Sequence, residues 1–205
     1  MNEYRYKNIT ISGLPGSGST TLLALLKENL KFDGWTGFSG GEFMRQYAVE
    51  KGLYDDSKKI HHDATAYGDD FDRQIDMGIR EKLRDQQKWI IESWLSGFLA
   101  QGVEGVCKIL IVCSDDAVRV DRIVNRDEVN VEEAKQHIHH RYQTNLTKWS
   151  RMYNKEWQEW VVEVGGAKPD EPIDFWKPSL YDVVIDTYSH NQQQALKLAL
   201  DVIKI

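Results

Sequence analysis

Cysteine is scarce in this chain of 205 residues, which contains only Cys107 and Cys113. Both lie in one apolar run, and if that run is a strand they stand roughly 20 Å apart. A disulfide requires Cα atoms within about 7 Å of each other, so these two thiols are not expected to pair. A chain without a disulfide framework is typical of the cytoplasm, which is the location we expect.

Long apolar runs and an excess of positive charge are also lacking. No stretch reaches the roughly 18 apolar residues of a membrane-spanning helix, and the N-terminal MNEYRYKN lacks the apolar centre of a signal peptide. Acidic residues outnumber Lys and Arg by 32 to 26, which gives a formal net charge of −6. Nucleic-acid binding relies on clustered Lys and Arg, so we expect neither a nucleic-acid nor a membrane partner.

Five short segments rich in Ile and Val predict strands, and helical periodicity fills the gaps between them. The segments are KNITISG (7–13), WTGFS (35–39), KWIIES (88–93), CKILIVC (107–113) and LYDVVIDT (180–187). Strands that alternate with helices indicate a parallel sheet with right-handed crossovers. We therefore predict a single α/β domain over 1–205, a three-layer sandwich in which helices flank a five-stranded parallel sheet.

The C-terminal half contains one long periodic pattern and one irregular segment. Apolar and aromatic residues at steps of three and four predict a single amphipathic helix over 131–160. Residues 158–179 hold three of the four prolines and a Gly-Gly pair, which predicts an irregular excursion before the last strand. A final helix is predicted over 191–205.

A glycine-rich turn joins the first strand to the first helix in ITISGLPGSGSTTLLALL (9–26). Its Gly-x-x-Gly-x-Gly spacing is typical of a phosphate-binding loop (P-loop), in which glycines let backbone N–H groups approach phosphate oxygens. The helix N-terminus directs partial positive charge at the same anion. The loop residues expected to contact nucleotide phosphates are Gly13, Pro15, Gly16, Ser17, Gly18, Ser19, Thr20 and Thr21.

The ordered set of motifs resembles the nucleoside monophosphate (NMP) kinases, and most closely the short cytidylate kinases of archaea and related bacteria. Beyond the loop, the matching segments are FSGGEFMRQYAVEKGL (38–53), DFDRQIDMGI (70–79), IIESWLSGFLA (90–100), VRVDRIVNRDEVNVEEAKQHIHHRY (118–142) and YDVVIDT (181–187). The resemblance covers most of the chain apart from 158–179. It implies transfer of the ATP γ-phosphoryl group to CMP or dCMP, with ATP and Mg²⁺ as cofactors.

The resemblance also implies roles for individual residues, within an NMP-binding segment at about 38–87 and a lid at about 119–157. Residues expected to surround the reacting phosphates are Arg45, Arg122, Arg126, Arg141 and Lys148. Residues expected to contact the acceptor are Ser39, Arg45, Asp72, Arg73, Asp76 and Trp94. Thr20 is expected to hold Mg²⁺, and Glu92, at the end of the third strand, to orient water on that ion.

Two residues depart from the family pattern. Ser19 replaces the loop lysine, and Trp94 replaces an arginine that would hold the acceptor phosphate. Loss of one preorganised charge contact typically costs roughly 3–4 kcal/mol of transition-state stabilisation. We interpret the chain as an active kinase in which other cations take these places. The candidates are Lys148 or Arg141 for the lysine, and Arg73 or Arg80 for the arginine.

Two alternative functions stay open from the sequence alone. A non-catalytic sensor that binds a nucleotide and changes shape is favoured by Ser19 and Trp94. A kinase for a different small acceptor would use Trp94 and the 158–179 segment as a new pocket, since an indole can stack on a base or a ribose. Packing of Trp94 in the core is the simpler interpretation. The expected partners are small nucleotides, and the expected assembly is a monomer or a homodimer.

Overall fold

The fold is built on a five-stranded sheet in which every paired strand is parallel. A computed structural model describes residues 3–50 and 68–205. The strands are β1 (Asn8–Gly13), β2 (Thr36–Ser39), β3 (Trp89–Glu92), β4 (Val106–Val112) and β5 (Val183–Asp186). Their order across the sheet is β2-β3-β1-β4-β5, so β1 is central, and all six of its residues are buried. The predicted strands and the parallel α/β sheet are confirmed.

Eight α-helices lie within the described residues. They are α1 (Ser19–Leu30), α2 (Gly40–Glu50), α3 (Asp69–Asp85), α4 (Ser96–Leu99), α5 (Asp116–Asp127), α6 (Val131–Met152), α7 (Asn154–Trp157) and α8 (Gln192–Ile203). The predicted NMP-binding segment, 38–87, therefore includes α2 and α3. Its residues 51–67, which include the end of the matched 38–53 motif, lie outside the described residues.

Alternate strand residues contribute to two separate cores, because successive side chains in a strand point to opposite faces of the sheet. Ile90 and Ile109 pack into a core with α1 and α8. Ile91 and Leu110 pack into a core with α3, α4, α6 and α7. The sheet is thus covered on both faces, as the near-continuous apolar runs predicted.

The prediction of one continuous helix over 131–160 was wrong in one respect. Helix α6 ends at Met152, and Tyr153 has φ −110° and ψ 20° before α7 begins. A π-helical turn, Gln158–Val162, follows α7. Tyr153 and Trp157 are both fully buried in the same core. The apolar spacing therefore continues across the break, and periodicity alone does not reveal it.

The irregular segment 158–179 returns to the core through two aromatic residues. The ring of fully buried Phe175 lies 4.7 Å, centroid to centroid, from the ring of Phe98. Trp176 donates a hydrogen bond of 2.9 Å from Nε1 to the carbonyl oxygen of Trp94. The segment is therefore packed against the β3–α4 region and helps to position Trp94.

One face of α3 is joined by polar contacts to the end of α6 and the turn after it. The contacting pairs are Asp69–Arg151, Asp72–Lys148, Asp76–Tyr153 and Arg73–Glu156. Lys148 Nζ lies 2.8 Å from Asp72 Oδ2, and both side chains are buried. The acidic residues recur at steps of three and four, which places them in a row along the helix. These contacts fix one wall of the space between α3 and α6.

The structure agrees with the scarcity of cysteine and of long apolar runs in the sequence. Cys107 and Cys113 are both buried free thiols, as predicted. None of the described helices is long and apolar enough to cross a membrane.

Replacing Trp157 by alanine should destabilise the fold. The side chain is fully buried, and its ring contacts the rings of Phe98 and Phe175. Removing a large buried aromatic typically costs about 3–5 kcal/mol of unfolding free energy, which urea denaturation would measure. Val164→Ala is the matched control because Val164 is 73% exposed. A Trp157→Ala variant as stable as this control would contradict the packing described here.

Asp76 should make stability depend on pH. Burial raises the pKa of Asp76 to about 7, although Tyr153 donates a hydrogen bond to its carboxylate. The folded protein therefore binds this proton more tightly than the unfolded chain, so the unfolding free energy falls as pH rises from about 4 to about 7.

An Asp76→Asn variant should lose this contribution and gain roughly 1–4 kcal/mol relative to the wild type across that pH range. Urea denaturation at pH values from 4 to 8 would measure the two slopes. Asp170→Asn, at an exposed position, should keep the wild-type slope. Parallel curves for the wild type and Asp76→Asn would refute the assignment.

Candidate functional site

A cleft of about 820 Å³ lies at the carboxyl ends of the parallel strands. The turn after β1 forms one side of it. The residues after β2 and β3, together with parts of α3 and α6, form the other side. Open parallel α/β sheets bind ligands at this edge. The cleft is therefore the candidate site.

The loop after β1 requires glycine at two positions. Gly16 and Gly18 have φ values of 80° and 100°, a backbone region that favours glycine. A Cβ atom on Gly16 would also lie 2.7 Å from the carbonyl oxygen of Arg119. Gly18 is the N-cap of α1, so the first N–H groups of that helix have no partner within the helix. This geometry provides a cradle that fits phosphate oxygens.

Most of the predicted phosphate-binding residues line the cleft. Those that do are Gly13, Pro15, Gly16, Gly18, Ser19, Thr20 and Thr21. Ser17 does not line it and is buried, with 1% of its surface exposed. The hydroxyl of Thr20 belongs to an exposed residue in the first turn of α1. It is therefore accessible to a metal ion on a bound nucleotide.

Glu92 joins the loop to the ends of two strands. Ser19 donates a hydrogen bond of 2.8 Å from Oγ to Glu92 Oε1, and Ser39 donates one of 2.9 Å to Oε2. All three residues are buried. Burial raises the pKa of the Glu92 carboxyl, although both hydroxyl groups oppose this shift. The residue in the lysine position thus bonds to the protein's own carboxylate.

Arg122 lines the cleft and is hydrogen-bonded to the phosphate loop. Its Nη1 donates to the carbonyl oxygen of Gly16 at 3.0 Å and to Thr187 Oγ1 at 2.7 Å. Thr187 in turn donates from Oγ1 to the carbonyl oxygen of Ser17 at 2.7 Å. Sequence reasoning missed Thr187. Its position directly after β5, at the same sheet edge as the loop, was the available signal.

Three further predicted arginines line the cleft. Arg45 reaches it from α2, Arg126 from the end of α5 and Arg141 from α6. Arg126 makes two hydrogen bonds, of 2.6 and 2.8 Å, to the carboxylate of Asp127. The guanidinium carbon of Arg141 lies 5.2 Å from the ring centroid of Trp94. These arginines surround the space in front of the phosphate loop with positive charge.

The structure does not bring every predicted cation to the cleft. Lys148 does not line it and is held by Asp72. Arg73 does not line it either and pairs with Glu156. Arg80 donates to two carbonyl oxygens, at 2.6 Å to Leu99 and at 2.8 Å to Gln101. Lys148, Arg73 and Arg80 are thus engaged outside the cleft, whereas Arg141 lines the cleft beside Trp94.

The cleft is also lined by carboxylates and aromatic rings. Asp72, Asp76 and half-buried Trp94 all line it, as do Asn145 and Trp149, which sequence reasoning did not select. The rings of Trp94 and Trp149 meet edge to face, with centroids 5.6 Å apart. Trp94 therefore packs against the core and also presents part of its surface to the cleft. The core-packing interpretation of Trp94 and the ligand-contact interpretation each match part of its environment.

Comparison with known proteins agrees with this geometry. Residues 9–144 match a family described as AAA domain. A cytidylate kinase of Methanosarcina barkeri is 34% identical over 198 residues, which cover 94% of this chain and 96% of that protein. A cytidylate kinase of Methanosarcina acetivorans is 30% identical over 201 residues, covering 95% of this chain and 97% of that protein.

A solved gluconokinase from Sinorhizobium meliloti has the same fold. Its TM-score is 0.53 at 13% identity, and the alignment covers 98% of this chain and 93% of that one. An identity this low supports the architecture alone. The phosphate cradle at the carboxyl edge of the sheet and the full-length matches to two kinases lead to the same conclusion. The chain belongs to the cytidylate kinase family of P-loop phosphotransferases.

Proposed function

We propose that this protein transfers the γ-phosphoryl group of ATP to CMP or dCMP, giving ADP and CDP or dCDP. The observation that carries the proposal is that one cleft is lined both by the phosphate loop and by Asp72, Asp76 and Trp94. Phosphoryl transfer depends on holding donor and acceptor in line within one enclosed space. One cleft that contains both kinds of surface supports such a reaction.

The acceptor end has chemistry suited to cytosine. The amino group of cytosine donates hydrogen bonds, whereas uracil has an oxygen acceptor at the same place. Carboxylates accept hydrogen bonds, and Asp72 Oδ1 has no hydrogen-bond partner within the described residues, so Asp72 would favour the amino group. Asp76, whose pKa is raised to about 7, would do the same in its ionised form. The exposed part of Trp94 would stack on the base or the ribose. These contacts support a cytidine nucleotide over a uridine nucleotide.

The loop fits a nucleotide carrying Mg²⁺. Thr20 would contribute its hydroxyl to the ion, which neutralises charge on the phosphates when it is bound. Both carboxylate oxygens of Glu92 accept hydrogen bonds from serines. Glu92 would orient a water molecule on the ion. Arg45, Arg126 and Arg141 would stabilise the charge that spreads over the transferred group.

An acceptor screen tests the proposal. We expect ADP formation from Mg²⁺-ATP to exceed the no-acceptor blank with CMP or dCMP, and to be weaker with UMP and AMP. A Ser19→Lys variant should be assayed in parallel. A silent wild type beside an active Ser19→Lys variant would instead mean a nucleotide-binding sensor. If neither protein turns over, the acceptor site has changed and the assignment to cytidylates fails.

Arg45→Ala should mainly impair use of the acceptor. Arg45 lies on α2 and lines the same cleft as Ser39 and the phosphate loop. Removing its charge should lower kcat/KM for CMP by about 100-fold, with little change in the KM for ATP. Arg84→Ala is the matched control, since Arg84 is exposed and pairs with Asp85 outside the cleft. Equal losses in the two variants would rule out a specific role for Arg45.

A further inference from the structure

Glu92 is a buried carboxylate with no cationic partner among residues 3–50 and 68–205. Only 6% of its surface is exposed, and its hydrogen-bond partners are the neutral hydroxyls of Ser19 and Ser39. No lysine, arginine or histidine contributes to its charge balance in this part of the chain, and the nearby carboxylate of Glu42 adds further negative charge. A buried carboxyl group in a protein is normally protonated, paired with a cation or bound to a metal ion.

The missing positive charge can be traced to one residue. In the usual P-loop pattern the residue that corresponds to Ser19 is a lysine, whose ammonium group reaches the β and γ phosphates. Here the side chain ends at Oγ, 2.8 Å from Glu92 Oε1. Glu92 therefore bonds to a neutral hydroxyl at the position where the usual P-loop pattern has a positive charge.

The neighbouring cations do not fill this position. Arg122 lines the cleft, but its guanidinium is bonded to the loop carbonyl of Gly16 and to Thr187. Lys148 is held by Asp72 and does not line the cleft. Arg45, Arg126 and Arg141 line the same cleft, but the bonds of Glu92 within the described residues go only to Ser19 and Ser39. The cleft beside Ser19 is open to a cation from solution.

We propose that a monovalent cation, K⁺ or NH₄⁺, binds between Glu92, Ser19, Ser39 and the phosphate oxygens of the nucleotide, in place of the lysine ammonium. Its protein ligands would be the carboxylate of Glu92 and the hydroxyl oxygens of Ser19 and Ser39. Each hydroxyl oxygen keeps a free lone pair while it donates its hydrogen bond to Glu92. One carboxylate matches one positive charge. Mg²⁺ retains several waters and demands octahedral geometry, which suits the open position at Thr20 better.

This inference rests on the proposed function only in requiring that ATP occupies the loop. It makes ATP binding and turnover dependent on the monovalent cation, independently of which acceptor is used. A specific effect of K⁺ or NH₄⁺ can be distinguished from an effect of ionic strength by replacing these ions with choline at constant total salt. Sodium and lithium serve as smaller ions that fit a site of hydroxyl and carboxylate oxygens differently.

The test is calorimetric titration of the full chain with Mg²⁺-ATP in KCl, NH₄Cl, NaCl, LiCl or choline chloride, together with ADP formation in the same salts. We expect ATP to bind at least about tenfold more tightly in K⁺ or NH₄⁺ than in choline. Turnover should rise on the order of 100-fold, the effect of restoring one preorganised charge contact.

Two variants localise the effect. Ser19→Lys carries its own ammonium group and should bind ATP equally well in all salts. Asn29→Lys, at an exposed position on the same helix, adds the same charge away from the cleft and should keep the wild-type dependence. Glu92→Gln can still bond to both serines and should lose the preference for K⁺. Circular dichroism and thermal denaturation would verify that each variant is folded.

The outcomes separate the two proposals. Equal ATP affinity of the wild type in all salts, or an unchanged K⁺ dependence in Ser19→Lys, would overturn the cation site. Turnover of CMP without any cation dependence would leave the proposed function standing and remove the site. Cation-dependent ATP binding without turnover of any monophosphate would support the cation site and remove the proposed function.

Discussion

The buried hydrogen bonds from Ser19 and Ser39 to Glu92 are the interaction on which the site depends. They connect the first turn of α1 to the ends of β2 and β3, at the edge of the sheet where the cleft opens. In the usual P-loop pattern a lysine occupies the position that Ser19 has here. Here two hydroxyls align the Glu92 carboxylate, and the charge of the site is supplied by arginines that reach the cleft from other helices.

The positive side of the cleft is therefore assembled from separate elements. Arg45 comes from α2, Arg126 from α5 and Arg141 from α6, so their distances depend on how these helices pack. A loop lysine needs only the local turn to place it. The arrangement ties the electrostatics of the site to tertiary structure, in particular to the aromatic core beneath α6 that holds Trp94.

The sequence predicted the sheet and the phosphate loop because both depend on local patterns. Buried parallel strands are continuous apolar runs, and the loop glycines have a fixed spacing. The break at Tyr153 was not predictable, since buried aromatics continue on both sides of it. Nor was the pairing of Lys148 with Asp72, which are far apart in the chain and meet only when α3 packs on α6. Such pairs are decided by tertiary contacts.

The support that Arg122 and Thr187 give to the phosphate loop has a thermodynamic consequence. Their hydrogen bonds to the Gly16 and Ser17 carbonyls are made by the protein alone, before any nucleotide arrives. The conformational entropy of the loop is thus lost during folding and is not lost again when ligand binds. Association with a phosphate then needs little rearrangement of the backbone. Affinity for the nucleotide therefore depends partly on Thr187, which follows the last strand and is 170 residues from Ser17 in the sequence.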